Sequence, residues 1–376
     1  MSIVLWFQFY YFTKVTAIPF RAVEFYALQN LKAGLMCPFN SIVDYQRFAS
    51  SLVMADTTPP TICVSEDGTK ISHKELTLDV PHWISGLQKL YEETKNDIHT
   101  LCRHQDISID IPDNIPDDWA VTTRKYSWLN NGEFVKENRP LLKILLADKD
   151  LNLGHLDRNG RILFNTGAML QVMQQISDIN KKLSVLSFAT PGQPVRASEF
   201  VDMKIKNSTR PRGFFRNNKE SWFVTRRVKY ENLIQRESFF PIKINLPLAN
   251  LLDIFLLIIR EVEKEFAWIL WGEKAFHLYD EYLWVDMGHV TNEAQFSITL
   301  ERITRLHCGV GLTIRPYREL IIAVAHVYLG SEAEIDEDDE DDLLARQSNH
   351  SPQTRIRLYA TEEGHLPSMS SDTLLR

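Results

Sequence analysis

The sequence has few cysteines and no motif that would pair them. Its four cysteines, Cys37, Cys63, Cys102 and Cys308, stand far apart and form no CxxC pair. This spacing argues against a zinc site or a disulfide framework and favours a reducing compartment. We therefore expect a protein that carries no metal and no cofactor.

Long apolar runs of the kind that span a membrane are also missing. The first apolar stretch, Met1 to Phe12, is too short to span a bilayer and lacks the basic start and small-residue cleavage site of a signal peptide. It indicates a buried element or a misassigned start. The second, Leu246 to Ile259, contains Asn250 and Asp253 and predicts an amphipathic core helix. No membrane partner is expected.

The net charge of −7 hides a strong segregation of charge along the 376 residues. Residues 332–342 hold nine acidic side chains and no basic one. The net charge of the rest of the chain is therefore −7 + 9 = +2. The segment from Val201 to Lys243 contains eleven Lys or Arg but only four Asp or Glu. If exposed, such a basic strip can neutralise phosphates, although charge alone also fits an ordinary solvated surface.

The hydrophobic periodicity is mainly helical, and the length fits two domains. A β-like strip of aromatic and β-branched residues runs from Phe223 to Val228. The segment 106–118, with two prolines and five aspartates, indicates a connector, and the acidic run indicates a disordered insertion at 331–343. Helices are predicted at 84–91, within 119–148, at 168–176, at 183–190, from 197 onward, and at 247–266, 297–308 and 316–329.

Four places in the second half carry residues suited to breaking a phosphodiester bond. Such chemistry needs a hydroxyl that attacks in line, cationic donors that hold the nonbridging oxygens, and an acid for the leaving oxygen. The planar guanidinium of Arg suits the clamping role. In chain order the four places are Gly192-Gln-Pro-Val-Arg196-Ala-Ser-Glu199, Lys229 at the end of the β-like strip, Arg315-Pro-Tyr-Arg318, and His350-Ser351 with Thr354 and Tyr359.

This order resembles the tyrosine recombinase family, which includes the lambda and Xer integrases. Arg196 with Glu199, Lys229, Arg318, and His350 with Tyr359 match the family's motifs over about residues 160–365. The closest resemblance is to fungal transposon-derived proteins related to Crypton recombinases, through the strings ATPGQPVRASEF, PYRELIIAVA and YATEEGHLPSMSSDTLLR. In that group a RecQ-type helicase module often follows.

The resemblance implies a mainly α fold with a helical catalytic domain that contains a small β-sheet. We expect an N-terminal helical, core-binding-like region at 1–105, a linker at 106–118, a helical connector at 119–156 and the recombinase-like catalytic domain at 157–376. The acidic insertion would lie within that domain.

The resemblance also assigns roles to the matched side chains. Tyr359 would attack the phosphate and form a 3′-phosphotyrosyl link, Arg196 and Arg318 would clamp its oxygens, and Lys229 would act as the general acid. His350 would donate a hydrogen bond to the phosphate, and Arg315 occupies a slot that usually holds His. Further contacts with DNA are predicted for Lys204, Lys206, Arg226 and Arg227 of the basic strip.

The expected partners are double-stranded DNA, further copies of the chain on DNA, and a helicase module in longer relatives, in the nucleus. The chain departs from the family at several points: the first motif is stretched to Gly192-x-x-x-Arg196, Arg315 cannot act as a base, Glu319 follows the second Arg, and Asn349 replaces a Gly. The alternative is therefore a catalytically inactive DNA-binding relic or docking module. A decayed reading frame whose product folds poorly is a third hypothesis.

Overall fold

The computed structural model describes residues 62–105, 117–130, 139–158, 161–192, 195–217, 220–227 and 238–329. Contacts divide the chain into two units, Met1–Pro59 with Lys229–Arg236, and Pro60–Val228 with Glu237–Arg376. Every described residue belongs to the second unit. Its elements are mainly helices with small antiparallel sheets, which confirms the predicted mainly α class at this level.

A small antiparallel sheet opens the described chain, inside the region predicted to be helical. β1 (Ile62–Val64), β2 (Lys70–His73) and β3 (Leu76–Asp79) pair in that order. In the β1–β2 turn the Ser65 hydroxyl donates to the Asp67 carboxylate at 2.6 Å, and this bond, with others in the turn, lowers the pKa of Asp67 to about 2. The strands have three or four residues, too few to leave an alternating pattern in the sequence.

Helix α1 (Val80–Leu101) confirms the helical pattern predicted at 84–91. It begins at Asp79, whose carboxylate accepts from a backbone N–H of the first turn at 3.0 Å. The face that turns inward is buried; its residues are Val80, Trp83, Gly86, Leu90, Thr94, Ile98 and Leu101. A β-carbon at Gly86 would lie 2.5 Å from the carbonyl oxygen of His307, so α1 approaches residues 307–308 as closely as a glycine permits.

Short elements follow α1, both within residues 119–148, where one or two helices were predicted, and just after them. They are a 3-10 turn (Trp128–Asn130), helix α2 (Pro140–Ala147) and the hairpin of β4 (Gly154–Leu156) with β5 (Ile162–Phe164). Of the predicted linker at 106–118, the structure describes only Asp117 and Asp118.

Helix α3 (Thr166–Ala189) is one continuous helix where the sequence pattern predicted two. The polar residues in its middle caused the wrong prediction. They do not interrupt the helix because each meets a partner: the Asn180 amide donates to the Val285 carbonyl at 2.9 Å, and Lys182 Nζ pairs with Asp97 of α1 at 2.6 Å. Buried positions lie on one side of the first half of the helix and include every residue from Leu183 to Phe188.

The predicted β-like strip is the central strand of a three-stranded sheet. β6 (Phe214–Asn217), β7 (Glu220–Arg227) and β8 (Ser238–Lys243) pair antiparallel in chain order, with Thr225 opposite Phe240. The connection from β7 to β8 contains Lys229 and lies outside the described residues.

The apolar run at 246–259 is exposed at Leu246 and largely buried from Leu248 onward, and the helical chain continues past it. Helix α5 (Leu246–Ile254) passes through a π-helical turn (Phe255–Ile259) into helix α6 (Arg260–Trp271). Gly272, with φ +85°, ends α6, and helix α7 (Glu273–Glu281) follows. Across the described helices, none combines the length and the apolar character that a bilayer crossing requires.

The last described elements are a two-residue hairpin and two helices. β9 (Val285–Asp286) pairs with β10 (His289–Val290), and helix α8 (Glu293–Cys308) starts in a capping box formed by Asn292 and Gln295. Helix α9 (Ile314–Leu329) completes the described chain. The helices predicted at 297–308 and 316–329 are confirmed by α8 and α9.

A cluster of buried aromatic rings joins α3, α8, α9 and the short helix α4 (Ala197–Val201). The Phe188 ring lies 5.1 Å from Phe200, 5.0 Å from Phe296 and 5.2 Å from Tyr317, centroid to centroid. The Tyr317 hydroxyl donates to the Phe188 carbonyl at 3.5 Å. Because Phe200 and Tyr317 belong to α4 and to the first turns of α9, this cluster fixes those two segments side by side.

A candidate anion site at two helix starts

Arg196 stands at the start of α4, as the break at 191–194 predicted. Its backbone is extended, with φ −64° and ψ 136°, and the helix begins at the next residue. The neighbours Val195 and Ala197 are buried, while the Arg196 side chain is half-buried. The apolar neighbours therefore anchor the chain at this point and leave the guanidinium near the surface.

Glu199 of α4 brings the first and second arginine motifs together. Burial raises the pKa of the Glu199 carboxyl, and three groups oppose that rise: the positive charge of Arg196, a hydrogen bond from the Thr225 hydroxyl, and the positive charge of Arg318. A charge influences a carboxyl in this way only from nearby. Two arginines from distant parts of the sequence are thus neighbours of one carboxylate.

The first turns of α9 present Arg315 and Arg318 differently. The Arg315 side chain is 84% exposed, and its Nε donates to Glu319 Oε1 at 2.9 Å. Arg318, one turn from Arg315, is half-buried on the side of Glu199. Glu319 also lies 3.1 Å from Nε2 of the buried His73 of β2. The carboxylate of Glu319, the residue after Arg318, therefore points towards His73 and Arg315.

The predicted DNA contacts Lys204 and Lys206 have carboxylate partners within the fold. Lys204 Nζ donates to Glu281 at 2.6 Å, and only 9% of this residue is exposed. Lys206 Nζ donates to Asp280 at 2.5 Å. Both partners lie in α7, so these ammonium groups face the interior of the described unit. Their contact with DNA stays a prediction.

Much of the remaining basic strip is also neutralised internally. Arg212 pairs with Asp117, and both side chains are fully buried. Arg216 Nη1 donates to Asp253 at 2.6 Å, with both side chains at most 4% exposed. Cationic side chains at these positions serve packing and cannot reach a phosphate on the surface. These ion pairs could not be predicted from the sequence, because the partner carboxylates come from distant segments.

Other predicted site residues lie at the border of the described part or beyond it. Arg226 and Arg227 end β7, where they pair with Phe239 and Ser238 of β8. Lys229, His350 and Tyr359 lie outside the described residues, as does the acidic insertion at 331–343. Among the residues that the structure describes, no group of three or more His, Cys, Asp or Glu is arranged to hold a metal ion.

Two site residues were missed by sequence reasoning, namely Thr225 and His73. Thr225 is 7% exposed and donates to Glu199, and His73 is 6% exposed and contacts Glu319. Thr225 directly precedes the Arg226-Arg227 pair, which was the one available signal. His73 carried none, since its strand was not predicted.

The arrangement can hold an anion at the junction of α4, β7 and α9. Two guanidinium groups lie near one half-buried carboxylate, and a planar guanidinium group can bind two oxygens of one phosphate at once. No protein-family model matches this chain, and no curated protein or solved structure matches it either.

Proposed function

We propose that this chain is a transposon-derived DNA-binding protein of the tyrosine recombinase type, which breaks and rejoins DNA through a 3′-phosphotyrosyl intermediate. One observation carries the proposal. Arg196 and Arg318, the two arginines that the sequence motifs single out as a phosphate clamp, are both neighbours of Glu199. The two motifs lie far apart in the sequence, and the half-buried Glu199 carboxylate is near the guanidinium groups of both.

In the proposed reaction the Tyr359 oxygen forms a bond to the phosphorus and the bond to the 5′ oxygen breaks. Lys229 gives a proton to the departing 5′ oxygen, and the phenolic proton is released. Arg196 and Arg318 stabilise the charge that develops on the nonbridging oxygens, with His350 and Arg315 as further donors. Rejoining reverses these steps when a free 5′ hydroxyl attacks the phosphotyrosine.

Glu199 has a supporting part in this scheme. Its carboxylate, held by the Thr225 hydroxyl, restrains two guanidinium groups before the phosphate arrives. Restraint of this kind lowers the cost of ordering the clamp when the charge develops. Thr225 is a residue of β7, so it also ties the clamp to the strand that leads to Lys229.

The test is a covalent capture assay with a pool of nicked duplexes whose sequence around the nick is randomised. A nick lets the cleaved strand diffuse away, so a tyrosyl intermediate accumulates as an adduct that survives denaturation. We expect an adduct with the full chain and none with Tyr359→Phe. Arg196→Ala and Arg318→Ala should each reduce it by two orders of magnitude or more. A pool that yields no adduct, or an adduct that persists in Tyr359→Phe, would count against the proposal.

A second candidate is a catalytically inactive DNA-binding module that docks on other proteins such as a helicase. It is supported by the hydrogen bond from Arg315 to Glu319, which supplies a carboxylate partner to the cation that replaces the usual His. This candidate predicts salt-sensitive binding to double-stranded DNA that Tyr359→Phe leaves unchanged, without any adduct. Both candidates place the chain in the nucleus, and the first also predicts several copies on one DNA site.

A further inference from the structure

The C-terminal end of α1 closes in a Schellman motif, which brings two histidines together. The backbone N–H of His104 donates to the His99 carbonyl at 2.9 Å, and that of Arg103 donates to the Thr100 carbonyl at 3.0 Å. Arg103 and His104 have φ angles of +54° and +57°, a left-handed turn that is unfavourable for residues with a β-carbon. The chain therefore reverses here, and residue 104 returns to the side of residue 99.

The two side chains joined by this motif are imidazoles. In a Schellman motif an apolar contact often accompanies the longer hydrogen bond, between residues in the positions of His99 and His104. Here both residues are exposed histidines. Nδ1 of His99 lies 3.1 Å from Nδ1 of His104, and the two ring centroids are 4.9 Å apart. Two nitrogens of the type that most often binds metals in proteins thus face each other within reach of solvent.

The two distances show how the rings approach each other. A nitrogen lies about 1.15 Å from the centroid of its own imidazole ring, so a straight hydrogen bond along both ring axes would separate the centroids by about 5.4 Å. The observed separation is shorter, at 4.9 Å, so the two axes meet at an angle. For a symmetric approach the axes cross about 2.0 Å beyond each nitrogen, which is the length of a bond between zinc and an imidazole nitrogen.

The cation in the same turn has a carboxylate partner. Arg103, which directly precedes His104, forms an ion pair with Asp148 through its Nε. The hydrogen bond from Arg103 is the largest of the causes that lower the pKa of Asp148, so this carboxylate is charged at neutral pH. The charge of Arg103 is therefore balanced, and a divalent cation between the two imidazoles meets little repulsion from it.

We propose that His99 and His104 bind one zinc ion through their Nδ1 atoms, with water in the remaining coordination positions. In the metal-free protein one ring donates its Nδ1 proton to Nδ1 of the other. Zinc takes the place of that proton, which moves to Nε2 of the same ring, so both imidazoles bind as neutral ligands. The bound ion links residues 99 and 104 and holds the end of α1 closed. The site shares no residue with the site around Glu199.

The test titrates zinc chloride into the full chain by calorimetry, with magnesium chloride as the hard cation that prefers oxygen ligands. We expect zinc to bind and magnesium not to bind at the same concentration. His99→Ala and His104→Ala should each weaken zinc binding by about tenfold or more. The double variant should lose little more than either single one, because both rings hold the same ion. Zinc should also raise the Tm of the parent chain and leave that of the three variants unchanged.

Two controls separate this site from other groups that bind zinc. His82→Ala removes an exposed histidine of the same helix, about 25 Å from His99 along the axis, and should bind zinc as the parent does. In the parent chain, paramagnetic Ni²⁺ should broaden the NMR signals of residues 99–105 before any others. The proposal is overturned if zinc does not bind at submillimolar concentration, if the two alanine variants bind it as the parent does, or if Ni²⁺ broadens other residues first.

Discussion

Removal of Arg216 should destabilise the protein far more than removal of a surface lysine. Arg216 Nη1 lies 2.6 Å from Asp253, and the side chains are 4% and 3% exposed. The pair ties β6 to α5, and the Arg216 guanidinium also lies 5.1 Å from the Trp128 ring centroid. Arg216→Met fills much of the same volume but leaves a buried carboxyl without its cation.

The magnitude follows from the burial of both partners. Burial raises the pKa of Asp253 to about 6, although the charge and hydrogen bond of Arg216 oppose that rise. Without Arg216 the carboxyl should be protonated at neutral pH. Breaking a buried pair on one side costs about 3–5 kcal/mol, whereas replacing both partners with apolar residues is often neutral or stabilising by about 1–4 kcal/mol.

The assay is urea unfolding at pH 7, followed by tryptophan fluorescence and circular dichroism. We expect Arg216→Met to lower the free energy of unfolding by about 3–5 kcal/mol, and the double variant Arg216→Met with Asp253→Leu to regain most of it. Lys243→Met, which breaks an exposed pair, should cost under about 1 kcal/mol. The reasoning is refuted if Arg216→Met costs no more than Lys243→Met, or if the double variant is less stable than the single one.

Three further predictions concern the site, the helix packing and the pH dependence. Glu199→Gln should tighten DNA binding and slow adduct formation. It should also steepen the slope of the logarithm of the DNA-binding constant against the logarithm of salt concentration by up to about 0.9. An unchanged slope in a filter-binding assay would contradict this. Gly86→Ala should destabilise the protein by about 1–3 kcal/mol in urea unfolding, because its β-carbon meets backbone at 2.5 Å; a neutral variant would mean that α1 shifts freely. Burial raises the pKa of Glu263 from 4.5 to about 7 against the opposing charge of Arg260, so the folded state holds a proton that the unfolded state loses between those values. The free energy of unfolding should therefore fall as the pH rises from about 4.5 to 7, and Glu263→Gln should flatten that slope.

Long periodic elements could be predicted from the sequence. The apolar spacing around Leu87 predicted α1, and the aromatic and β-branched strip at Phe223 predicted β7. The break at 191–194 correctly placed the start of α4. In each case the signal lies within one element, where the helical or strand period acts directly on the pattern of apolar residues.

Features that depend on distant partners could not be predicted. The strands at 62–79 are too short to show a period, and Asn180 and Lys182 looked like a helix break because their partners lie elsewhere in the chain. Arg212 and Arg216 looked like exposed charges for the same reason. At the candidate site, the motifs singled out Arg196 and Arg318, but the Thr225 and His73 contacts arise only from tertiary packing.

The ring cluster of Phe188, Phe200, Phe296 and Tyr317 has a consequence for how this protein tolerates change. Because one cluster supports both α4 and α9, we expect a substitution that alters its volume to shift Arg196 and Arg318 together. Variants with a smaller ring should therefore lose anion affinity at a distance, even when they stay folded. Compensation should come from a second substitution within the cluster, not from a new charge at the surface.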